Sequence, residues 1–291
     1  MSDTNGTPPA TREIQAFKVR AFVDDSGRGG NPAGVVLAAD QLSSRQKQAV
    51  AARLGLSETA FFSLKNKHVR FFTPTREIPF CGHATVATFS LLASKKILPK
   101  LPMSMSVQMG GGWRDIIIDD DGVALQQDVE LVRPLDAQAL EEARQTFQNG
   151  GAVRFGGLVD NGVKFFVLEL ESAAGLRELK PDFEKIDRLS RAHELVGYYL
   201  YFKDGDKIEA RMFAPAYGIN EESATGMGAG ALAAWLNWRD ESTDFTILQG
   251  AAMTPPSPSI LHTHVLRSGF KTEVWVKGRA VVDSVETVAV P

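Results

Sequence analysis

The sequence predicts an α+β fold made of two similar halves. Two observations carry that prediction. A unit of strand, proline turn, polar loop and helix occurs twice, about 140 residues apart. The helix in each copy is apolar on every side, as buried helices are. The first copy is Arg70-Phe71-Phe72-Thr73-Pro74, with Ala84-Thr85 ten residues after the proline. The second is Arg211-Met212-Phe213-Ala214-Pro215, with Ala224-Thr225 nine residues after its proline.

The elements follow in order. Ile14 to Phe22 reads as a strand, with Phe17, Val19, Ala21 and Val23 on one face at period 2. Asp24 to Gly34 reads as a glycine-rich loop turning at Asn31-Pro32, and Val35 to Ala38 as the next strand. Ser43 with Gln46 forms a capping-box signal for a helix to Leu54, and Gly55 stands where a C-terminal cap belongs. Leu56 to Ser63 and His68 to Thr73 read as strands, and Ala84 to Ser94 as the first buried helix. Gly110 to Gly112 and Asp119 to Gly122 are hairpin turns. Pro134 to Phe147 reads as helical. Strands follow around Val153 to Phe155 and over Lys164 to Leu170, then a helix from Asp182 to Leu195. Tyr198 to Phe202 and Ile208 to Phe213 are strands, and Ala224 to Trp238 is the second buried helix. Thr246 to Leu248, Lys271 to Val276 and Arg279 to Val285 are the late strands.

Composition bounds the function classes. The chain has 291 residues, 44% hydrophobic and 23% charged, enough apolar material for one large domain or two smaller ones. A net charge of −3 lacks the basic excess of a nucleic-acid binder. No apolar run is long enough to span a bilayer. Met1 to Arg12 is polar, lacks the apolar core of a signal peptide, and reads as a disordered leader. A single cysteine, Cys81, rules out an internal disulfide. A cytoplasmic location is the expectation.

Two features carry chemistry. The first N–H groups of a helix lack partners and sit at its positive end, so they hold anions. If the halves face each other, both buried helices start at one cleft and hold a carboxylate there. The alternative is that the two loops simply turn the chain. The second feature is Glu58. Period 2 through Leu56-Ser57-Glu58-Thr59-Ala60-Phe61-Phe62 puts Glu58 on a face with Leu56, Ala60 and Phe62. Burial there raises a carboxyl pKa and suits general acid/base work. The alternative is a strand-end Glu that reaches solvent or pairs with an arginine.

Gly30-Asn31-Pro32-Ala33-Gly34, Leu56-Ser57-Glu58-Thr59-Ala60-Phe61, Phe72-Thr73-Pro74 and Pro79-Phe80-Cys81-Gly82-His83-Ala84-Thr85 together resemble the N-terminal signatures of the PhzF (phenazine biosynthesis) family. Arg211 to Pro215, Ala224-Thr225-Gly226 and Gln249-Gly250 extend the resemblance over about residues 14 to 285. It implies a diaminopimelate-epimerase-like fold, two pseudo-symmetric domains each with a curved sheet around a central helix. The first domain is expected over 1–128, completed by 278–291, and the second over 129–277. It also implies a cofactor-independent isomerase acting on a small carboxylate, as a homodimer, with no metal, nucleic-acid or membrane partner. The resemblance makes Glu58, His83 and Glu222 catalytic, with Glu58 the proton carrier. It makes Asn31, Cys81, Gly82, Ser223, Thr225, Gly226 and Met227 substrate-binding. Glu222-Ser223 stands where the family usually has Asp-Pro, Met227 where it has Ser, and Thr254-Pro255-Pro256-Ser257 brings no arginine. These departures leave the substrate open.

Two other functions remain open on sequence. Cys81 with Ser223 would make a cysteine-dependent epimerase, and a small-acid-binding protein would turn nothing over. His262 and His264 share a strand face and read as surface histidines. Gly27 to Gly34 lacks the phosphate-loop pattern.

Overall fold

A computed structural model describes residues 12–37, 39–98, 100–148, 152–269 and 271–290. Most of the polar leader lies outside the described residues, and Arg12 already belongs to the first strand. The first half runs β1 (Arg12–Ala21), β2 (Asn31–Val36), α1 (Ser44–Leu54), β3 (Thr59–Ser63), β4 (His68–Phe72), β5 (Glu77–Ile78) and α2 (Gly82–Ser94). It ends in a meander of β6 (Met103–Met109), β7 (Gly112–Asp119) and β8 (Gly122–Val129). The second half runs β9 (Leu131–Pro134), α3 (Ala137–Arg144), β10 (Val153–Asp160), β11 (Lys164–Leu170), α4 (Ala173–Arg177), α5 (Phe183–Ala192), β12 (Leu195–Asp204) and β13 (Lys207–Phe213). Then come α6 (Gly226–Asp240), β14 (Asp244–Gln249), β15 (Ser259–Ser268), β16 (Lys271–Gly278) and β17 (Ala280–Val290).

The pairings repeat. β1 is antiparallel to β2, β2 parallel to β3, β3 antiparallel to β4, and β4 touches β6 in parallel before the β6–β7–β8 meander. Likewise β10 is antiparallel to β11, β11 parallel to β12, β12 antiparallel to β13, and β13 parallel to β14 before the β14–β15–β16 meander. β8 and β16 pair with each other and join the halves. β17 returns to pair with β1, as β9 pairs with β10. α2 packs on β1, β2, β3, β7, β8 and β17, while α6 packs on β8 to β12 and β14 to β16. The fold is therefore α+β, with a curved sheet wrapped around a central helix in each half.

Both central helices are buried along nearly their whole length, from Gly82 to Leu92 and from Gly226 to Asn237, which is why neither shows a polar face in the sequence. Small residues let the sheet close on them. A Cβ on Gly228 would fall 2.3 Å from the Tyr199 ring. The repeat also has a shared local geometry: Arg70 lies 5.2 Å over Phe72 and pairs with Glu77, and Arg211 lies 4.9 Å over Phe213 and pairs with Glu221.

The capping box at Ser43 and Gln46 and the left-handed Gly55 cap form as expected. Elsewhere tertiary pairing moved the boundaries. β2 begins at Asn31, so Asn31-Pro32 is strand, not turn; Pro32 sits opposite Arg20, ahead of the β2–β3 pairing that starts at Gly34, where its missing N–H costs nothing. Pro134 ends a strand paired to β10, and α3 starts later, at the Asp136 cap. α5 stops at Ala192, with Glu194 left-handed (φ 56°) and Leu195 entering β12. Glu58 is not in a strand: β3 begins one residue later.

Candidate active site

The two central helices start against each other. A Cβ on Gly82 would lie 3.8 Å from Gly226 Cα and 3.9 Å from Met227 N. Neither N-cap side chain, Cys81 or Thr225, accepts a hydrogen bond from its own helix. Their first N–H groups thus remain unsatisfied by capping at the meeting point of two positive helix ends. The helix starts align Cys81 with Thr225 and Gly82 with Gly226. The Ala-Thr match read from the sequence is out of step by about one helical turn: Ala84-Thr85 lies inside α2, whereas Ala224-Thr225 precedes α6.

A buried cluster forms around this point. His83, in the first turn of α2, is 4% exposed. Its Nε2 lies 3.3 Å from Glu58 Oε2, and its Nδ1 lies 3.9 Å from Glu222 Oε1 and 3.5 Å from Cys81 Sγ. A histidine from one half thus sits between two carboxylates, one from each half. Glu58 is placed by the turn into β3, whose Ala60 and Phe62 face the α2 core. Its carbonyl accepts from Gly34 N at 2.9 Å. Glu58 Oε2 is buried, and the His83 contact is not aligned as a hydrogen bond, so that oxygen has no hydrogen-bond partner among the described residues.

Glu222 is held more firmly. Asn31 Nδ2 donates to Glu222 Oε1 at 2.7 Å and to the Ala224 carbonyl at 2.9 Å. The Thr225 hydroxyl donates to Glu222 Oε2. Gln249 was not read as a site residue, yet it is fully buried and ties this loop together. Its Nε2 donates to the Glu222 carbonyl at 2.8 Å and to Thr225 Oγ1 at 3.1 Å. Its Oε1 accepts from Thr225 N at 3.1 Å and from the Tyr199 hydroxyl at 2.8 Å. Ser223 Oγ donates to the Gly30 carbonyl at 3.0 Å, so its hydroxyl is already committed. Met227 is partly buried against the core, and its carbonyl accepts from Asn161 Nδ2 at 2.8 Å. Phe22 is a second residue the sequence did not mark. It adopts φ 63°, a strained setting for a bulky side chain, and its ring lies against Gly226 and Gly278. A signal for Gln249 existed in the Gln249-Gly250 match; Phe22 left none.

The two carboxyls are pushed in opposite directions. Burial raises the pKa of Glu58, but the adjacent His83 ring nitrogen and its charge, with Ser57, outweigh it and hold the group below its ordinary value. This corrects the expectation of a raised Glu58. Burial raises Glu222, the Glu58 charge adds to that, and His83, Thr225 and Asn31 only partly offset it. Burial lowers the pKa of His83, but the Cys81 sulfur and Glu58 carboxylate raise it well above its ordinary value. Burial raises Cys81, which stays a thiol near neutral pH. Glu58, Cys81 and His83 bring ligand atoms within 4.8 Å of one another. A metal ion there would first have to displace the protons on the thiol and the imidazolium. His262 and His264 pair with Thr246 and Asp244 on an exposed strand face and join no such group among the described residues.

Comparison with known proteins agrees with this architecture. The family model described as "Phenazine biosynthesis-like protein" matches residues 19–285. An uncharacterized isomerase from Deinococcus radiodurans is 32% identical, covering 95% of this chain and 94% of its own. The trans-2,3-dihydro-3-hydroxyanthranilate isomerase of Pseudomonas chlororaphis is 31% identical, covering 87% of this chain and 91% of its own. A crystal structure of the Bacillus anthracis phenazine biosynthesis protein, PhzF family, superposes with a TM-score of 0.84 at 21% identity, covering 96% of this chain and all of that one.

Proposed function

Because this chain belongs to the phenazine biosynthesis-like (PhzF) family, and is an isomerase of that kind, we propose that it moves a proton between two carbons of a small unsaturated or amino carboxylate, without a cofactor, in the crevice between its two central helices. One observation supports this most: a buried histidine held between two carboxylates whose pKa values are driven apart. Such divergence separates a base from an acid in one site.

Glu58 is ionised near neutral pH and takes a proton from a substrate carbon. The electron pair left on that carbon spreads into the conjugated carboxylate. The His83 imidazolium and the free N–H groups at Gly82 and Gly226 stabilise the resulting negative charge. Glu58, now protonated, returns the proton to another carbon of the conjugated system, and the net change is an isomer. Glu222, held closer to its neutral form, keeps a hydrogen-bonding group at the opposite side of His83. Asn31 and Thr225 position Glu222, and Cys81 and Met227 shape the wall. Low exposure of Glu58, His83, Cys81, Ser223 and Thr225 excludes water, which strengthens each of these interactions.

The Cys81–Ser223 epimerase finds less support, since the thiol is held protonated and the serine hydroxyl is given to Gly30. The same reading divides the chain into 1–128 with 278–291, and 129–277, a division that the β17–β1 and β9–β10 pairings favour. Family membership supports a homodimer. No described helix is long and apolar enough to cross a membrane, and a cytoplasmic setting is part of the proposal. The test is deuterium uptake from D₂O, followed by mass spectrometry, into a panel of unsaturated and amino carboxylates that includes trans-2,3-dihydro-3-hydroxyanthranilate. Uptake by the native protein and none by Glu58→Gln supports the reading; equal uptake by both overturns it.

A further inference from the structure

Asn31 and Gln249 fix the loop that leads into α6. A second pair of buried carboxamides, Gln127 and Asn161, reaches the first turn of the helix itself. Gln127 belongs to β8 at the seam between the halves, where it lies opposite Val274 of β16. Its Nε2 donates to the Gly226 carbonyl at 3.0 Å. Asn161 stands at the turn between β10 and β11. Its Nδ2 donates to the Met227 carbonyl at 2.8 Å and to Gln127 Oε1 at 2.8 Å.

Stability alone is a poor reason for this pair. The carbonyls it takes also serve the helix's own ladder. Asn161 Oδ1 is buried and has no hydrogen-bond partner among the described residues, a cost that two apolar side chains of the same shape would avoid. Room is also made for the pair: a Cβ on Gly230 would run into the Gln127 carboxamide. Gly230 joins Gly226 and Gly228 in the opening turns of α6, and glycine is the poorest helix former after proline. The segment that carries the N–H groups at the crevice is therefore the loosest of the helix by composition. α2 holds its start from within, its Thr85 and Thr88 hydroxyls donating to the Cys81 and Ala84 carbonyls at 2.7 Å each. α6 carries no serine or threonine with which to do the same.

We propose that Gln127 and Asn161 are positioning residues for the anion site at the start of α6. A trans peptide is planar, with its C=O and N–H pointing opposite ways. Holding the Gly226 oxygen therefore fixes the direction of the Met227 N–H, and holding the Met227 oxygen fixes that of Gly228. Met227 N faces the start of α2, 3.9 Å from where a Cβ on Gly82 would stand. A carbonyl that accepts a hydrogen bond also polarises its own peptide and strengthens that N–H as a donor. Both side chains act through the helix backbone. The inference rests on the proposed function, in which the N–H groups at this helix start hold the negative charge of the substrate.

The test compares Gln127→Met/Asn161→Leu and Gln127→Met with the native full chain. The double variant removes both carboxamides and leaves neither side chain orphaned, so it should melt close to the native protein. Its isotope exchange should lose about tenfold or more in kcat with a smaller change in KM, because the negative charge is greatest in the transition state. A double variant that melts like the native protein and keeps more than about half of its kcat overturns the proposal. The second measurement needs no turnover. In ¹⁵N NMR spectra at constant ionic strength, acetate should move the Met227 and Gly228 amide signals of the native protein saturably. Gln127→Met should reduce the Met227 response more than that of Gly228, and the double variant should reduce both. No response of either amide in the native protein, or equal responses in all three proteins, overturns the proposal. If the native protein exchanges no compound of the panel, the proton-transfer reading fails, and the acetate titration still decides this one.

Discussion

Glu58→Gln keeps the shape of the side chain and removes its charge, so it asks what that charge does. The carboxylate stands 3.3 Å from His83 Nε2 in a buried site. At an effective permittivity of about 20, a unit-charge pair at this distance attracts by about 5 kcal/mol, before the desolvation of both groups is subtracted. Loss of the base itself should reduce turnover by roughly 10²–10⁴-fold, about 3–5 kcal/mol of barrier. The substitution has a second consequence. Without Glu58, the burial of His83 is opposed by the Cys81 sulfur and the more distant Glu222 alone, so its pKa falls and less imidazolium is available to stabilise the intermediate. The loss should therefore lie toward the upper end of that range. Two measurements separate the contributions: isotope uptake in D₂O against time, and the imidazole resonance of His83 followed by NMR across pH. The expected result is a rate below about a hundredth of native with a His83 pKa displaced downward. A variant that exchanges at more than about a tenth of the native rate, or whose His83 titrates as in the native protein, would refute the assignment of Glu58 as base and counter-ion.

Three other perturbations follow from the same geometry. Glu222 has a raised pKa in the fold, so its contribution to stability is fully present below the unfolded carboxyl value and is lost as pH rises through the folded one; Glu222→Gln should flatten that fall and melt at least as high as the native protein in a series of melts from pH 4 to 8. Cys81 is buried with a raised pKa, so its reaction with a thiol reagent should be slow in the native state and fast in denaturant, and Cys81→Ala should retain isotope exchange; abolished exchange would favour cysteine chemistry. Gly228→Ala places a methyl 2.3 Å from the Tyr199 ring, which should cost about 1–3 kcal/mol or more in denaturant melts and loosen the Tyr199–Gln249 bond behind Glu222.

How much of this was legible in the sequence depends on the range of the interaction. Ser43, Gln46 and Gly55 bounded α1 correctly because a cap is made by residues within four positions of each other. Pro134 misled because the β9–β10 pairing that makes it strand is made with residues more than twenty positions away. The Arg-x-Phe repeat was visible because each copy makes its own cation–π contact and ion pair locally. The Ala-Thr register slipped because similar small residues occur both before α6 and inside α2, and only the three-dimensional helix starts show which positions correspond.

By itself the sequence determined the α+β class, the duplication and the two buried helices, since those follow from composition, short-range capping and recurring pattern, while the groups that now surround His83 were marked by the motif resemblance to the PhzF family. Tertiary structure alone decided the electrostatics. Burial by itself would raise Glu58, as it does Glu222, but the imidazolium of a residue 25 positions away reverses the sign for one and not the other. It also decided that Gln249 and Phe22 pack beside these groups. A pKa depends on which charges lie within a few ångströms, and that proximity is fixed only when the sheets close around their helices.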